Sequence, residues 1–119
     1  MEKKRGIMLL KALVFHYHGL DHDERKLLED YARDNDGYDE LSWSMEFISK
    51  DYLSAFDRAR EFLKKVFLKL DEKERLKCIL EVWEDNHKKG YVTEMETMAI
   101  INIAKDWMVH KDFLIAVNS

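Results

Sequence analysis

Five residues with metal-binding side chains lie within one short stretch of the sequence. They are His16, His18, Asp21, His22 and Asp23. Imidazole and carboxylate groups suit zinc, nickel and similar divalent ions, and a tight turn can bring them together around one ion. Their spacing matches no known zinc signature. The stretch therefore predicts either a divalent-metal site or an ordinary helix junction, in which His16 packs on the core and Asp21 caps the next helix.

A second polar group lies near the end of a later helix. Its residues are Glu81, Glu84, Asp85 and His87, and the last three are the candidate site residues. Acidic side chains near a helix C-terminus interact unfavourably with the helix dipole, which favours a compensating cation or a basic partner at this end. The alternative interpretation is an exposed helix end with no ligand.

The patterns of several other chemistries are missing. If Gly37 in the acidic stretch 34–40 is aligned with the invariant EF-hand glycine, Trp43 falls where the bidentate glutamate should be, so we predict a solvated turn in which Gly37 has a positive φ. The four glycines are scattered singly, so there is no phosphate loop, and no serine lies in a glycine-rich nucleophile turn. Cys78 is the single cysteine, and we interpret it as a small buried hydrophobic residue.

A helix–glycine–cap–helix pattern occurs twice. In each copy an apolar helix stops at glycine, an apolar residue and an N-cap follow, and a glutamate lies three residues after the cap. The pattern includes Gly19 and Glu24 in the first copy and Gly90, Thr93 and Glu96 in the second. A repeated unit of this kind predicts a helical domain with internal pseudo-symmetry.

The two copies resemble the motif of the TerB-like family, named for tellurite-resistance proteins. Its members carry Asp-Gly-x-apolar-Ser/Thr-x-x-Glu between paired helices, and segments 90–96 and 19–24 match it after the first position, the latter with one residue fewer. The resemblance implies about seven helices, repeats related by an approximate two-fold, and acidic clusters that associate with metal. His18 and Lys89 replace the family's loop aspartates, so this chain lacks those two candidate ligands.

The approximate two-fold would bring the two polar groups into relation. It would place the helix end that carries Glu84, Asp85 and His87 near His16 and His18, or facing them across the axis. A shared polar site there is the site hypothesis that the resemblance adds.

Apolar residues recur at helical spacing along the chain, and no stretch alternates with period two for long enough to indicate a strand. The absence of proline suits long helices joined by short turns. We predict helices over about 2–17, 22–33, 51–70, 72–87 and 94–108, with a short helix after Ser42 and another after a break at 109–111. Asp71, with Glu74 three residues later, is expected to cap the helix over 72–87, and Thr93 the helix over 94–108. The helix over 51–70 is the longest and is expected to be central to the core.

Composition describes one soluble globular domain over 1–119, since 46% of the residues are hydrophobic and 37% are charged. A net charge of −4 argues mildly against nucleic-acid binding. The apolar run from Ile7 to Phe15 is interrupted by Lys11, lacks a small-residue cleavage site and is too short to span a bilayer, so we interpret it as the amphipathic first helix of a cytoplasmic protein.

Together these observations favour an all-α, single compact helical domain of the TerB-like type. The resemblance and the missing catalytic motifs favour a non-enzymatic interaction module, acting in a stress-response assembly with an unidentified protein partner and without nucleic acid or membrane. Self-association is compatible with this interpretation. The alternative is a divalent-metal-binding protein that uses the His16–Asp23 turn, and a small hydrolase using that metal is the third hypothesis.

Overall fold

The computed structural model describes residues 2–15, 22–88, 90 and 92–118, and that part of the chain contains seven α-helices and no strand. The helices are α1 (Glu2–Phe15), α2 (His22–Asp34), α3 (Tyr38–Ser49), α4 (Ala55–Phe67), α5 (Glu72–His87), α6 (Glu94–Asp106) and α7 (His110–Val117). The predicted all-α class is confirmed. None of the described helices combines the length and the apolar character needed to cross a bilayer.

The first helix, α1, occupies the centre of the domain. Every residue from Met8 to Phe15 is buried, and α1 packs against α2, α3, α4, α5 and α6. A helix enclosed on all sides carries apolar residues around its whole circumference. The prediction of an amphipathic first helix was therefore wrong. The helix predicted over 51–70 does contribute to the core, but α1 is the more enclosed of the two.

Two predicted boundaries also differ from the structure. The helix expected over 51–70 is α4, which begins only at Ala55, so Leu53 lies in an exposed turn. The helix expected after Ser42 is α3, which already begins at Tyr38. Asp39 and Glu40 lie in its first turn, where carboxylates interact favourably with the helix dipole.

The second half of the domain repeats the first at a constant offset. The helix α6 begins and ends 72 residues after α2, and α7 begins 72 residues after α3. Glu24 and Glu96, the glutamates of the two predicted copies, are both fully buried near the starts of α2 and α6. The repeat predicted from the caps thus extends to the helices that follow them.

The ends of α2 and α6 have the same backbone geometry. Asp36 after α2 and Met108 after α6 have φ values of 51° and 62°. In both places the N–H of the following residue donates to the carbonyl oxygen five residues back. After α2 this bond joins Gly37 to Ala32 at 2.7 Å, and the corresponding bond after α6 is 3.0 Å long. This is a left-handed helix end of the Schellman type. Gly37 itself has φ −114°, so the predicted positive φ lies at Asp36 instead.

The predicted N-caps of α5 and α6 are confirmed. Asp71 Oδ1 accepts the N–H of Glu74 at 2.9 Å. Thr93 Oγ1 accepts the N–H of Glu96 at 3.1 Å, while Glu96 Oε1 accepts the N–H of Thr93 at 2.9 Å. Each bond satisfies an amide that the helix cannot pair internally, and the Thr93 pair forms a reciprocal capping box.

Candidate functional site

A buried lysine is the centre of a charged cluster inside the domain. The Lys11 side chain on α1 is only 2% exposed, and its Nζ lies 2.6 Å from Asp85 Oδ2 and 3.1 Å from Glu81 Oε2 on α5. The same Nζ lies 3.2 Å from the centroid of the Tyr31 ring on α2. Two carboxylates and one aromatic face thus offset the cost of removing the ammonium from water.

The positions of these groups follow from the helices that carry them. Because α1 is enclosed on all sides, the Lys11 side chain can end only against a neighbouring helix. Glu81 and Asp85 are four residues apart on α5, so they share one face and can reach the same ammonium. On the outer side of this cluster, Lys88 Nζ lies 3.0 Å from Asp85 Oδ1. The cation expected beside the acids of this helix end is therefore supplied by the chain itself.

The cluster changes the acidity of its tyrosine. Burial, with the negative charges of Glu81 and Asp85 adding to it, raises the pKa of Tyr31 to about 12. Its ring therefore stays neutral over the physiological pH range and faces the ammonium through its π electrons.

A cavity of about 150 Å³ lies beside the buried ammonium. It is lined by Lys11, Phe15, Leu27, Leu28, Asp30, Tyr31, Asp34, Asn35, Asp85 and Lys88. An adjoining groove of about 350 Å³ shares Leu27, Asp30 and Lys88 with it and also contains Asp23 and Lys26. Charges of both signs line these walls, so the lining does not select a strongly charged ligand.

The arrangement around Lys11 is suited to holding a charge and poorly suited to nucleophilic chemistry. An ammonium has three N–H donors, and here two carboxylates and one ring face surround it. A nucleophilic lysine instead needs a neutral amine, which desolvation or a nearby cation can provide but which paired carboxylates oppose.

The structure places the three candidate site residues of the second polar group in different surroundings. Asp85 binds Lys11 and Lys88, as described above. His87 Nδ1 lies 2.8 Å from the Trp83 carbonyl oxygen of its own helix. Glu84 is exposed and lines a separate surface groove along α5. Within the described residues, no group of three or more His, Cys, Asp or Glu side chains is arranged to hold a metal ion.

Three of the five residues of the predicted metal stretch, His16, His18 and Asp21, lie outside the described residues, as does Gly19 of the repeat motif. The other two residues, His22 and Asp23, are in the first turn of α2 and are both exposed. The divalent-metal site and the shared polar site therefore stay predictions.

Sequence reasoning did not identify Lys11 as a site residue. It treated this lysine only as an interruption of an apolar run. Two signals were present: one charge in a long apolar stretch, and a pair of acids at i and i+4 on a later helix. Their pairing across helices depends on tertiary packing, which neither signal contains.

A turn between α3 and α4 presents apolar side chains to solvent. Leu53 is 98% exposed and Tyr52 is 66% exposed. The turn is held from α4 by Arg58, whose guanidinium donates to the carbonyl oxygens of Phe47 and Asp51, both at 2.9 Å. We call residues 50–54 the Leu53 turn.

Side chains inside the Leu53 turn fix it further. Asp51 Oδ1 accepts the N–H of Leu53 at 3.2 Å, and Asp51 Oδ2 accepts the hydroxyl of Ser54 at 2.9 Å. Arg58 Nε donates to the Ser54 oxygen at 2.8 Å. The exposed leucine therefore lies on a backbone whose conformation is held by hydrogen bonds from both sides.

Comparison of the chain with models of known protein families gives no match, and comparisons with curated proteins and with solved structures give none either. The TerB-like assignment accordingly rests on the two motif copies and stays a prediction.

Proposed function

We propose that this chain is a non-enzymatic helical interaction module of the TerB-like type and that it binds a protein partner through the Leu53 turn. The observation that carries the proposal is the almost complete exposure of Leu53 on an ordered turn. Isolated exposed apolar residues are common on protein surfaces, but this one is presented by a turn that several side-chain hydrogen bonds hold in place.

Order in the turn favours its use in binding. A partner that buries Leu53 gains roughly 1.5–3 kcal/mol of hydrophobic free energy. Because the hydrogen bonds of Asp51 and Arg58 already fix the backbone, little conformational entropy is lost on association. Tyr52, beside it, adds an aromatic side chain of the kind enriched at the energetic centres of interfaces.

Two further features support the wider assignment. The offset of 72 residues between α2 and α6 agrees with the repeated unit that suggested the TerB-like type. The enclosed ammonium of Lys11 favours a structural role for the main charged cluster, because two carboxylates and one ring face already surround it. The proposed role in a stress-response assembly comes from the resemblance.

The test is site-specific photo-crosslinking from position 53 in living cells. We expect Leu53→p-benzoylphenylalanine to give a discrete adduct. The matched control is position 69, because Lys69 is 70% exposed in the turn at the other end of α4. The same adducts at both positions, or none at position 53, would overturn the proposal. Leu53→Ser should change the free energy of unfolding by less than about 0.5 kcal/mol.

A further inference from the structure

An apolar groove of about 420 Å³ lies between α2 and α3. Its apolar lining residues are Leu28, Leu41 and Met45, and its polar lining residues are Arg25, Glu29, Ser42 and Glu46. The apolar three are buried or half-buried, and the polar four are exposed. The groove thus has an apolar floor and a charged rim, the surface to which an apolar anchor docks.

The groove and the Leu53 turn are neighbours on the same helix. Met45 and Glu46, at the end of the groove, lie in the last turns of α3, and the Leu53 turn follows directly. The helix rises only about 1.5 Å per residue, so the two features are separated by roughly the width of one helix.

We propose that the Leu53 turn of one copy of this chain docks into the α2–α3 groove of a second copy, and reciprocally. The inference rests on the proposed function, because it names the partner of the same turn. Docking would bury the exposed Leu53 side chain against the apolar floor of the groove.

Charge complementarity favours this occupant. The groove rim carries Glu29 and Glu46 against one arginine, while the turn carries Lys50. Within the described residues, the side chains of Glu29, Glu46 and Lys50 take part in no ion pair. The carboxylate of Asp51, the acidic neighbour of Lys50, is balanced by the guanidinium of Arg58, which donates to the same turn, so the turn has a net positive charge. The turn therefore presents a cation to a rim with a surplus of negative charge.

The position of the two features also selects a closed dimer. A two-fold axis beside the C-terminal end of α3 makes both turn-in-groove contacts at once, which is the isologous arrangement typical of two-fold dimers. With one leucine anchor a side the interface is small, so we expect a weak dimer that dissociates on dilution.

The test is sedimentation equilibrium over a dilution series of the full chain. We expect Leu53→Glu and Met45→Glu each to lower the association constant by about tenfold or more, since each places a charge in the apolar contact. Lys69→Glu, a charge reversal in the turn at the other end of α4, should leave it unchanged. Melting temperatures recorded beside each run identify any variant that fails to fold.

A mixing experiment separates docking from misfolding. The Leu53→Glu copy keeps its groove and the Met45→Glu copy keeps its turn, so an equimolar mixture regains one contact and should associate more strongly than either variant alone. In a single chain, Lys50→Glu should weaken the dimer and added Glu29→Lys should restore it. The docking is refuted if the mixture associates no more strongly than either variant alone. It is also refuted if Glu29→Lys does not restore the association that Lys50→Glu weakens.

The outcomes also separate this inference from the proposed function. A wild-type dimer that Leu53→Glu abolishes, with a crosslinked adduct of twice the chain mass, supports both. A chain that is monomeric at every concentration but gives an adduct of another mass overturns self-docking and leaves the interaction module standing. A monomer without any adduct overturns both.

Discussion

Lys11 illustrates how the burial of one charge depends on partners from two neighbouring helices. Its aliphatic stem lies in the α1 core, while Asp85, Glu81 and the Tyr31 ring surround its ammonium. Removing one member of a buried pair leaves an uncompensated charge, whereas replacing the charge by an apolar group of similar volume is often neutral. The members of the cluster should therefore differ sharply in what their loss costs.

We predict that Asp85→Asn destabilises the domain by about 1–3 kcal/mol, because the buried ammonium loses the nearer of its two carboxylates. Lys11→Met should stay within about 1 kcal/mol of wild type, since the acids left behind retain water, with 18% of the Asp85 and 46% of the Glu81 side chain exposed. Urea-induced unfolding measures both. The control is Glu84→Gln, which changes a neighbouring exposed residue. If Asp85→Asn lowers the free energy of unfolding by less than Lys11→Met does, the proposed role of the cluster is wrong.

We predict a pH-dependent signature from Tyr31. Its pKa is raised from 10.0 to about 12 in the fold, so between these values the unfolded chain loses the proton that the folded chain keeps. The stability that comes from the neutral ring is complete below pH 10 and falls as the pH rises towards 12. Unfolding midpoints should thus fall less steeply with pH in Tyr31→Phe than in wild type. Equal slopes would show that Tyr31 titrates normally.

At the scale of elements, local signals in the sequence were reliable where a single residue decides the outcome. Asp71 and Thr93 cap their helices as predicted, because the side chain of a cap and the amide it accepts lie in one turn. The start of α3 was predicted too late, because Asp39 and Glu40 suit both a solvated loop and the first turn of a helix. Composition alone does not distinguish these two uses.

Gly6 provides a test of the packing of α1 against α4. Gly→Ala within a helix normally stabilises by roughly 0.5–1 kcal/mol, but a Cβ here would lie 2.7 Å from the Phe67 ring. That ring is stacked on Trp107 at a centroid distance of 4.0 Å and has little room to move. Gly6→Ala should therefore destabilise by about 1–3 kcal/mol. In thermal unfolding, the double variant Gly6→Ala, Phe67→Leu should recover part of the lost stability. If Gly6→Ala alone is more stable than wild type, the close approach of residue 6 to the Phe67 ring is refuted.

The left-handed end of α6 should be improvable. Met108 is exposed with φ 62°, a conformation that costs a residue with a Cβ roughly 1–2 kcal/mol. Met108→Gly should therefore raise the free energy of unfolding by about 0.5–1 kcal/mol, after allowing for the greater entropy of glycine in the unfolded chain. The matched substitution Asp36→Gly should raise the free energy of unfolding by less, because aspartate tolerates the left-handed conformation better than methionine does. An equal gain at both sites would point to another cause.

At the scale of the whole molecule, periodicity predicted that the chain is helical but not which helix is enclosed. Apolar residues on α4 follow helical spacing as clearly as those on α1, and the burial of Lys11 runs against its residue type. Which helix becomes central depends on how all the faces assemble, a property of the tertiary structure. For the same reason, the Leu53 turn was assigned to a helix, although its role depends on being outside one.

The predicted metal site can be tested by melting the whole domain. A divalent ion at about 100 times its dissociation constant adds roughly 2.7 kcal/mol, which should raise the melting temperature of chelator-treated protein by about 10 °C. Zinc, nickel, manganese and calcium are tested in turn. The shift should disappear in the double variant His18→Ala, His22→Ala and persist in His87→Ala. If no ion raises the melting temperature, the histidines of the first turn are structural residues.

The enclosure of α1 has a consequence for the synthesis of the protein. A ribosome makes α1 before α3, α4, α5 and α6, yet the burial of residues 8–15 requires all of them. Nascent chains of intermediate length therefore carry a helix that is apolar on every side and only partly covered. Ribosome-bound chains arrested after α4 should recruit chaperones that bind exposed apolar segments, and should release them once α6 has left the exit tunnel.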